Sequence, residues 1–188
     1  FQEASADPSK WALAEAAYKE VVKYPPPNNK LYGYAHYKLG YVYWNQGMYK
    51  QALAEFKKVI EFGNTHSQLP NAKQLANSAR RDLIPVYAAS EAPNKAFVYF
   101  KPLAEGKTDE NAIKMMRDLG YAYLDTGHYA EGIELYKDLM SRDKGEHWCE
   151  YQGQITTAVQ AAYSADKERI KRELDQQLEI RKQFNGMK

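Results

Sequence analysis

Cysteine is nearly absent. Cys149 stands alone in 188 residues, which excludes an internal disulfide and a cysteine-based metal cluster. No apolar run approaches the ~20 residues that cross a bilayer, so direct membrane insertion is not expected. Charge of one sign is lacking as well: 26 basic residues face 24 acidic ones, for a net +2. Nucleic-acid binding needs a concentrated basic face, and this balance supplies none. The histidines His36, His66, His128 and His147 are scattered, with no H-x-x-x-H spacing. His147 and Glu150 share a helical face, but a structural or plain surface role is the favoured reading for them. The glycines are dispersed, form no phosphate-cradling loop, and read mostly as helix ends. Ser141-Arg142-Asp143-Lys144 fits Ser-x-x-Lys, yet neither Ser-Asp-Asn nor Lys-Thr-Gly follows, so the match is read as chance. No pair of catalytic groups stands at a workable spacing. No catalytic residue, metal site or cofactor is therefore assigned, and an enzyme is not expected. The opening Phe1-Gln2-Glu3 carries no Met and no signal pattern. It reads as the start of a processed or excised chain whose targeting segment is gone.

What the chain does have is a repeated phrase. YKLGYVYWNQGMYKQALAEFKKVI runs from Tyr37 to Ile60, and RDLGYAYLDTGHYAEGIELYKDLM from Arg117 to Met140. Leu39, Gly40, Tyr43, Gly47, Tyr49, Leu53, Phe56 and Ile60 align with Leu119, Gly120, Tyr123, Gly127, Tyr129, Ile133, Tyr136 and Met140. Within each copy the apolar residues fall three or four apart, the spacing of one helical face. Gly47 and Gly127 break each copy in two, because glycine takes the left-handed conformation that ends a helix. The unit is an antiparallel helical hairpin. Gly40 costs roughly 1 kcal/mol against Ala in mid-helix, so it is expected where the second helix passes close by.

Weaker copies fill the remainder. Ala14, Tyr18 and Val21 carry second-helix spacing, as do Ala96, Phe100 and Leu103. Pro85 is expected to kink or interrupt the long first helix before them. The final unit has one stripe of Trp148, Tyr151, Ile155 and Val159 and another of Ile170, Leu174 and Leu178. Asp166 reads as an N-cap, and Cys149 as a partly buried apolar residue. The charged last helix suits a terminal cap. Linkers are expected at Pro25 to Lys30, Gly63 to Pro70, Gly106 to Glu110 and Ser141 to Gly145. No strand alternation occurs. An all-α chain with a period in the thirties to forties implies a solenoid. It is read as one unit over 1–188: a partial repeat 1–28, a repeat 29–66, a degenerate repeat 67–108, a repeat 109–142, and a degenerate repeat with capping helix 143–188.

Leu39-Gly40-x-x-Tyr43-x-x-x-Gly47-x-Tyr49-x-x-Ala52-Leu53-x-x-Phe56 resembles the tetratricopeptide repeat. Leu119-Gly120-x-Ala122-Tyr123-x-x-x-Gly127-x-Tyr129 resembles it equally. Departures are His36 and Met116 where the family prefers Trp, Gly132 where it prefers Ala, and a missing proline after each second helix. The order LYGYAHYKLGYVYWNQGMYKQAL, RRDLIPVY, WCEYQGQIT is also similar to envelope-associated tetratricopeptide proteins of bacteria, some linked to gliding motility in myxobacteria. That likeness leans towards a bacterial periplasm or cell envelope.

The resemblance implies a right-handed superhelix whose first helices line a concave groove for a partner's segment. Carried over residue by residue, the groove positions are Tyr34, Tyr37, Tyr41, Trp44 and Asn45, then Ser78 and Arg81 with Pro85, Ala88 and Ala89 beyond. In the later repeat they are Lys114, Arg117, Tyr121, Leu124 and Asp125. One end of the groove would be aromatic and the rest basic. Tyr and Trp are favoured interface anchors, and Arg suits two-pronged carboxylate binding. The expected partner is a protein or peptide segment with apolar or aromatic residues near Tyr37 and Trp44 and acidic ones near Arg81 and Arg117. Tyr37 and Tyr41 stand where the family's clamp for a C-terminal carboxylate needs Lys and Asn, so a chaperone-tail partner is not expected. The resulting expectation is a non-enzymatic scaffold or adaptor within a multiprotein envelope or motility assembly. The alternative is a structural spacer or self-association module, in which the same surface meets another copy; separately, some of these aromatics are weighed as simply packing between neighbouring hairpins.

Overall fold

A computed structural model of the chain describes residues 9–143 and 147–186. Phe1-Gln2-Glu3, Lys144 of the Ser-x-x-Lys phrase and the end of the Ser141–Gly145 linker lie outside them. The described residues are all-α, with no strand, and fall into antiparallel hairpins of the kind the tetratricopeptide resemblance implies. They divide into two compact units: Phe1–Glu91 with Lys101–Thr108, and Ala92–Phe100 with Asp109–Lys188.

The first unit contains α1 (Ser9–Val21), α2 (Tyr32–Asn45), α3 (Tyr49–Thr65) and α4 (Ala72–Ala88). Successive helices pack side by side. α2 ends as its sequence requires. Gly47 has φ +72°, its N–H donates to Trp44 O, and the Met48 N–H reaches back to Tyr43 O. This double closure satisfies carbonyls that the last turn leaves free. The core is Leu39, Val42, Phe56, Val59, Ile60, Leu83, Val86 and Tyr87. His36, in the place where Trp is usual, is buried and bonds through Nδ1 to Glu55 of α3. Burial pushes the Glu55 carboxyl up, but bonds from His36 and Lys58 outweigh it and hold the group below its ordinary value. Arg80 ties the returning segment down: Nε donates to Leu103 O at 2.7 Å, Nη1 to Asn77 at 2.6 Å and Nη2 to Asn64 at 2.8 Å.

The second unit begins with a 3₁₀ turn at Pro93–Lys95 and the short α5 (Ala96–Phe100). Pro102, two residues on, cannot donate to an extended ladder. Then come α6 (Asp109–Asp125), α7 (Tyr129–Arg142), α8 (Trp148–Ala162) and α9 (Lys167–Gly186). Gly127, at φ +78°, repeats the closure of Gly47, donating to Leu124 O while the His128 N–H reaches Tyr123 O. Asp166 caps α9 as expected, accepting from the Arg169 N–H at 2.9 Å. Leu119, Tyr123, Leu135, Tyr136, Leu139, Tyr151, Ile155 and Val159 form the core.

Several expectations need correction. Pro85 does not interrupt α4, which runs on to Ala88 and forgoes only the one bond to the Arg81 carbonyl that proline cannot donate. Gly63 does not open a linker. It lies inside α3, where an added Cβ would stand 2.4 Å from the Ala76 methyl carbon. Most glycines with defined surroundings likewise lie within helices rather than at their ends. Cys149 is exposed, because α8 turns Tyr151, Ile155 and Val159 inward and places residue 149 on the outer side. In α9 the buried position is Gln177, while Leu178 is 55% exposed.

Gly40 behaves as its sequence implied. A Cβ there would come within 2.8 Å of the Phe56 ring, and one at Gly120 within 2.6 Å of the Tyr136 ring. The two hairpins thus share one contact, with Tyr in place of Phe. The extra hydroxyl is buried and has no hydrogen-bond partner, a state that costs free energy. Tyr136→Phe should therefore raise stability by about 1 kcal/mol and the melting temperature by about 2–4 °C. Gly40→Val should lower stability by about 1–3 kcal/mol through overpacking. Thermal unfolding followed by circular dichroism checks both, and an unchanged or lower midpoint for Tyr136→Phe would show that the hydroxyl is satisfied.

Candidate functional site

The first helix of each strong hairpin turns its apolar stripe to the core, and the positions between point outward. In the first unit Tyr37 and Tyr41, one turn apart on α2, lean edge-on to one another at 5.2 Å. Both rings rest on Phe56 from α3, at 5.8 and 5.6 Å. Their hydroxyls converge on one oxygen: Tyr37 and Tyr41 both donate to Asp82 Oδ2 of α4, Tyr41 at 2.8 Å. Burial, and then the bond to Asp82, pushes the Tyr37 hydroxyl well above its ordinary range; burial does the same to Tyr41. Trp44 is half-buried and tilts against Tyr41 at 5.7 Å. Tyr34 is 47% exposed, with the Lys38 ammonium 5.2 Å above its ring. Asn45 turns back and donates to Tyr41 O. Arg81 projects into solvent, its Nε 3.5 Å from Asp82 Oδ1. Ser78 and Pro85 are half-buried and Ala89 is exposed, whereas Ala88 is buried.

The second unit repeats the device with different chemistry. Arg117 and Tyr121 occupy in α6 the places of Tyr37 and Tyr41 in α2. Arg117 Nη2 donates to both Glu150 oxygens, at 3.1 and 2.9 Å, and the Tyr121 hydroxyl to Glu150 Oε1 at 2.7 Å. Burial pushes the Glu150 carboxyl up, but the bonds from Tyr121 and Arg117 outweigh it and leave the group below its ordinary value. The Arg117 Nε is buried without a partner. Beside it, Lys114, Arg117, Asn111, Arg142 and His147 line a hollow of about 410 Å³. Arg142 is spoken for: it stacks on Phe97 at 4.2 Å and bonds to Asp138. Leu124 packs over Gly132, and Asp125 is exposed.

Tetratricopeptide-repeat patterns match residues 33–66 and again residues 110–145. The chain carries two tetratricopeptide repeats. The two matched stretches are the two hairpins just described, α2–α3 and α6–α7. No curated protein matches the chain, and no solved structure does. Within each repeat the outward positions named from the sequence do come together, Tyr37 with Tyr41 and Arg117 with Tyr121. The residues missed are the acids they hold, Asp82 and Glu150. Asp82 was hidden beside Arg80 and Arg81, and Glu150 was weighed only as a metal ligand with His147, which instead pairs with Asp143. Their separations from the donors differ between the two repeats, so no periodic signal marked them.

Glu150 is held below its unfolded value, so it adds stability above that value and loses it as the pH falls through the folded one. Urea unfolding at pH 7 and at pH 3.5 should show the native chain losing up to about 1 kcal/mol more than Glu150→Gln on acidification. Equal losses would mean the contact contributes nothing in solution.

Proposed function

We propose that this chain is a non-enzymatic adaptor that binds a partner segment on the outward faces of its first helices. Repeats of this family mediate protein–protein interaction; the finer statement concerns which partner. The observation that carries it is the recurring use of two groove positions to hold a carboxylate. Tyr37 and Tyr41 hold Asp82, and Arg117 and Tyr121 hold Glu150. Surfaces already arranged for one carboxylate accept another, either at the spare donors of Arg117 and Lys114 or by exchange with the resident acid. The half-buried Trp44 and the exposed Tyr34 supply ring area at low entropic cost. The partner we propose is a protein or peptide segment with aromatic or apolar residues for Tyr34, Tyr37, Tyr41, Trp44 and Asn45, and acidic residues for Arg81, Lys114, Arg117 and Tyr121. On the phrase order at Leu31–Leu53, Arg80–Tyr87 and Trp148–Thr156, we extend the proposal to a multiprotein assembly of the bacterial envelope, with motility machinery as one such setting.

The second reading is self-association, favoured by the open Tyr34 ring, which a second copy would cover equally well. Light-scattering mass separates the two. A mass of 21.6 kDa across a concentration series supports the adaptor, and a concentration-dependent dimer supports self-association. Selection from a random-peptide display library on the immobilised chain should enrich sequences combining aromatic and acidic residues. Trp44→Ala and Arg117→Ala should each weaken the selected peptides about tenfold with helicity unchanged. Enrichment without acids and aromatics, or binding indifferent to both substitutions, overturns the reading.

A further inference from the structure

Among the described residues, Arg80 is the cation that the fold buries, with 9% of it exposed. Its bonds go to Leu103 O, Asn77 and Asn64. All three partners are neutral. A buried Arg is normally matched by an acid, because a charge taken out of water without a counter-charge is costly. Burial pulls the Arg80 guanidinium below its ordinary value, and the charge of Glu105 does not restore it. Arg117 shows the contrast, since Glu150 answers it directly.

Arg80 stands in the wall of a hollow of about 430 Å³ that lies wholly within the first unit. Ser67, Lys73, Glu105, Gly106 and Lys107 line it too. Lys73 faces Glu105 at 3.5 Å. Lys107 is exposed at φ +54°, directly after Gly106 at φ +63°, and has no acid partner among the described residues. Three cations thus meet one carboxylate, in a chain whose whole net charge is +2. The guanidinium also has donors left for a ligand. Its Nε bonds inward to the oxygen of Leu103, which is buried, whereas Nη1 and Nη2 bond to the exposed side chains of Asn77 and Asn64. The Nη edge is therefore the outer one. Each Nη carries two N–H groups and uses one of them here.

We infer that the hollow beside Arg80 binds a phosphate group, the dianionic end of a phosphate monoester. Such a group carries about −1.5 to −2 charge at neutral pH and three strong acceptor oxygens. The charge matches the surplus of the lining. The oxygens match the donors: the two spare Nη N–H groups, the Lys73 and Lys107 ammonium groups and the Ser67 hydroxyl. A carboxylate, with one charge and two oxygens, would leave part of that set unanswered. The planar fork of Arg suits phosphate, and binding supplies the counter-charge that the buried guanidinium lacks. The hollow is also within the range of small-ligand sites, about 300–1,000 Å³, so it admits the group that bears the phosphate. The site uses none of the groove positions and does not depend on the adaptor reading.

Calorimetric titration of the full chain tests this with three probes: acetyl-Gly-phosphoSer-Gly-amide, acetyl-Gly-Asp-Gly-amide and inorganic phosphate. The phosphopeptide should bind about tenfold more tightly than the aspartate peptide. Lys107→Glu, at an exposed position, should leave the circular-dichroism spectrum unchanged and weaken both phosphate probes about tenfold. Glu105→Gln, which removes the carboxylate from the lining, should tighten them about threefold. The side-chain N–H resonances of Arg80 should shift as phosphate saturates the chain. A phosphopeptide tighter than inorganic phosphate supports the inference with a phosphorylated partner as the source, and the reverse order supports it with a free phosphate. An aspartate peptide that binds as tightly as the phosphopeptide overturns it in favour of a plain carboxylate. Absence of saturable phosphate binding, affinity indifferent to Lys107→Glu, or unmoved Arg80 resonances also overturn it.

Discussion

An aromatic ring laid against a glycine sets the distance between the helices of each strong hairpin, Phe56 on Gly40 and Tyr136 on Gly120. With any side chain at those glycines the second helix would have to retreat. The rings of Tyr37 and Tyr41 would then lose the Phe56 surface on which they rest, and their hydroxyls the position that brings both to Asp82. The apolar contact inside the hairpin thus places the polar contact outside it. Tyr136 shows the same constraint under tension, since its ring fits where Phe56 fits but its hydroxyl finds no partner.

The two repeats solve one problem with different groups. In each, two first-helix positions a turn apart hold an acid from a later first helix. In α2 the holders are two neutral hydroxyls, so the Asp82 charge is answered at a distance by Arg81, 3.5 Å away and largely in solvent. In α6 the holder is a guanidinium with one hydroxyl, and Glu150 is neutralised in place. The α2 face is therefore aromatic and carries a charge of acid sign at its centre. The α6 face keeps spare cationic donors from Arg117 and Lys114. An aromatic face and a basic face were expected, and each also holds an acid that the sequence did not mark.

The hairpins were legible because their signals are local. Helical spacing, the breaks at Gly47 and Gly127, the cap at Asp166 and the close approach at Gly40 each depend on residues within one hairpin. What escaped depends on residues far apart in the chain. Gly63 looked like a helix end because nothing near it announces Ala72 and Ala76, which pack against it. Pro85 looked like a break, but the packed helix α4 runs through it to Ala88 without the one bond that proline cannot donate. Leu178 and Gln177 exchanged roles because the apolar stripe of α9 predicts burial only where a neighbour covers it, and α8 stands too far off at Gly153. The carboxylates at Asp82 and Glu150 were invisible for the same reason. The candidate faces were readable from the first helices, but what those faces already hold was not.

That resident acid bears on how such a surface can serve a partner. A partly exposed ion pair or hydroxyl–carboxylate bond contributes about 0–1 kcal/mol, whereas displacing a core ring costs about 3–5 kcal/mol. Exchanging Glu150 for a partner's carboxylate substitutes one acid for another at the same donors, so the chemistry of the site is conserved and little free energy is at stake. The ring-on-glycine contact beneath is untouched by that exchange. A repeat built this way separates two features: burial against glycine fixes the hairpin, and in the proposed adaptor the weakly held acid on its outer face is what a partner's carboxylate would replace. The proposed adaptor role rests on this separation, because it needs no unfolding and no rearrangement of the core to admit a partner.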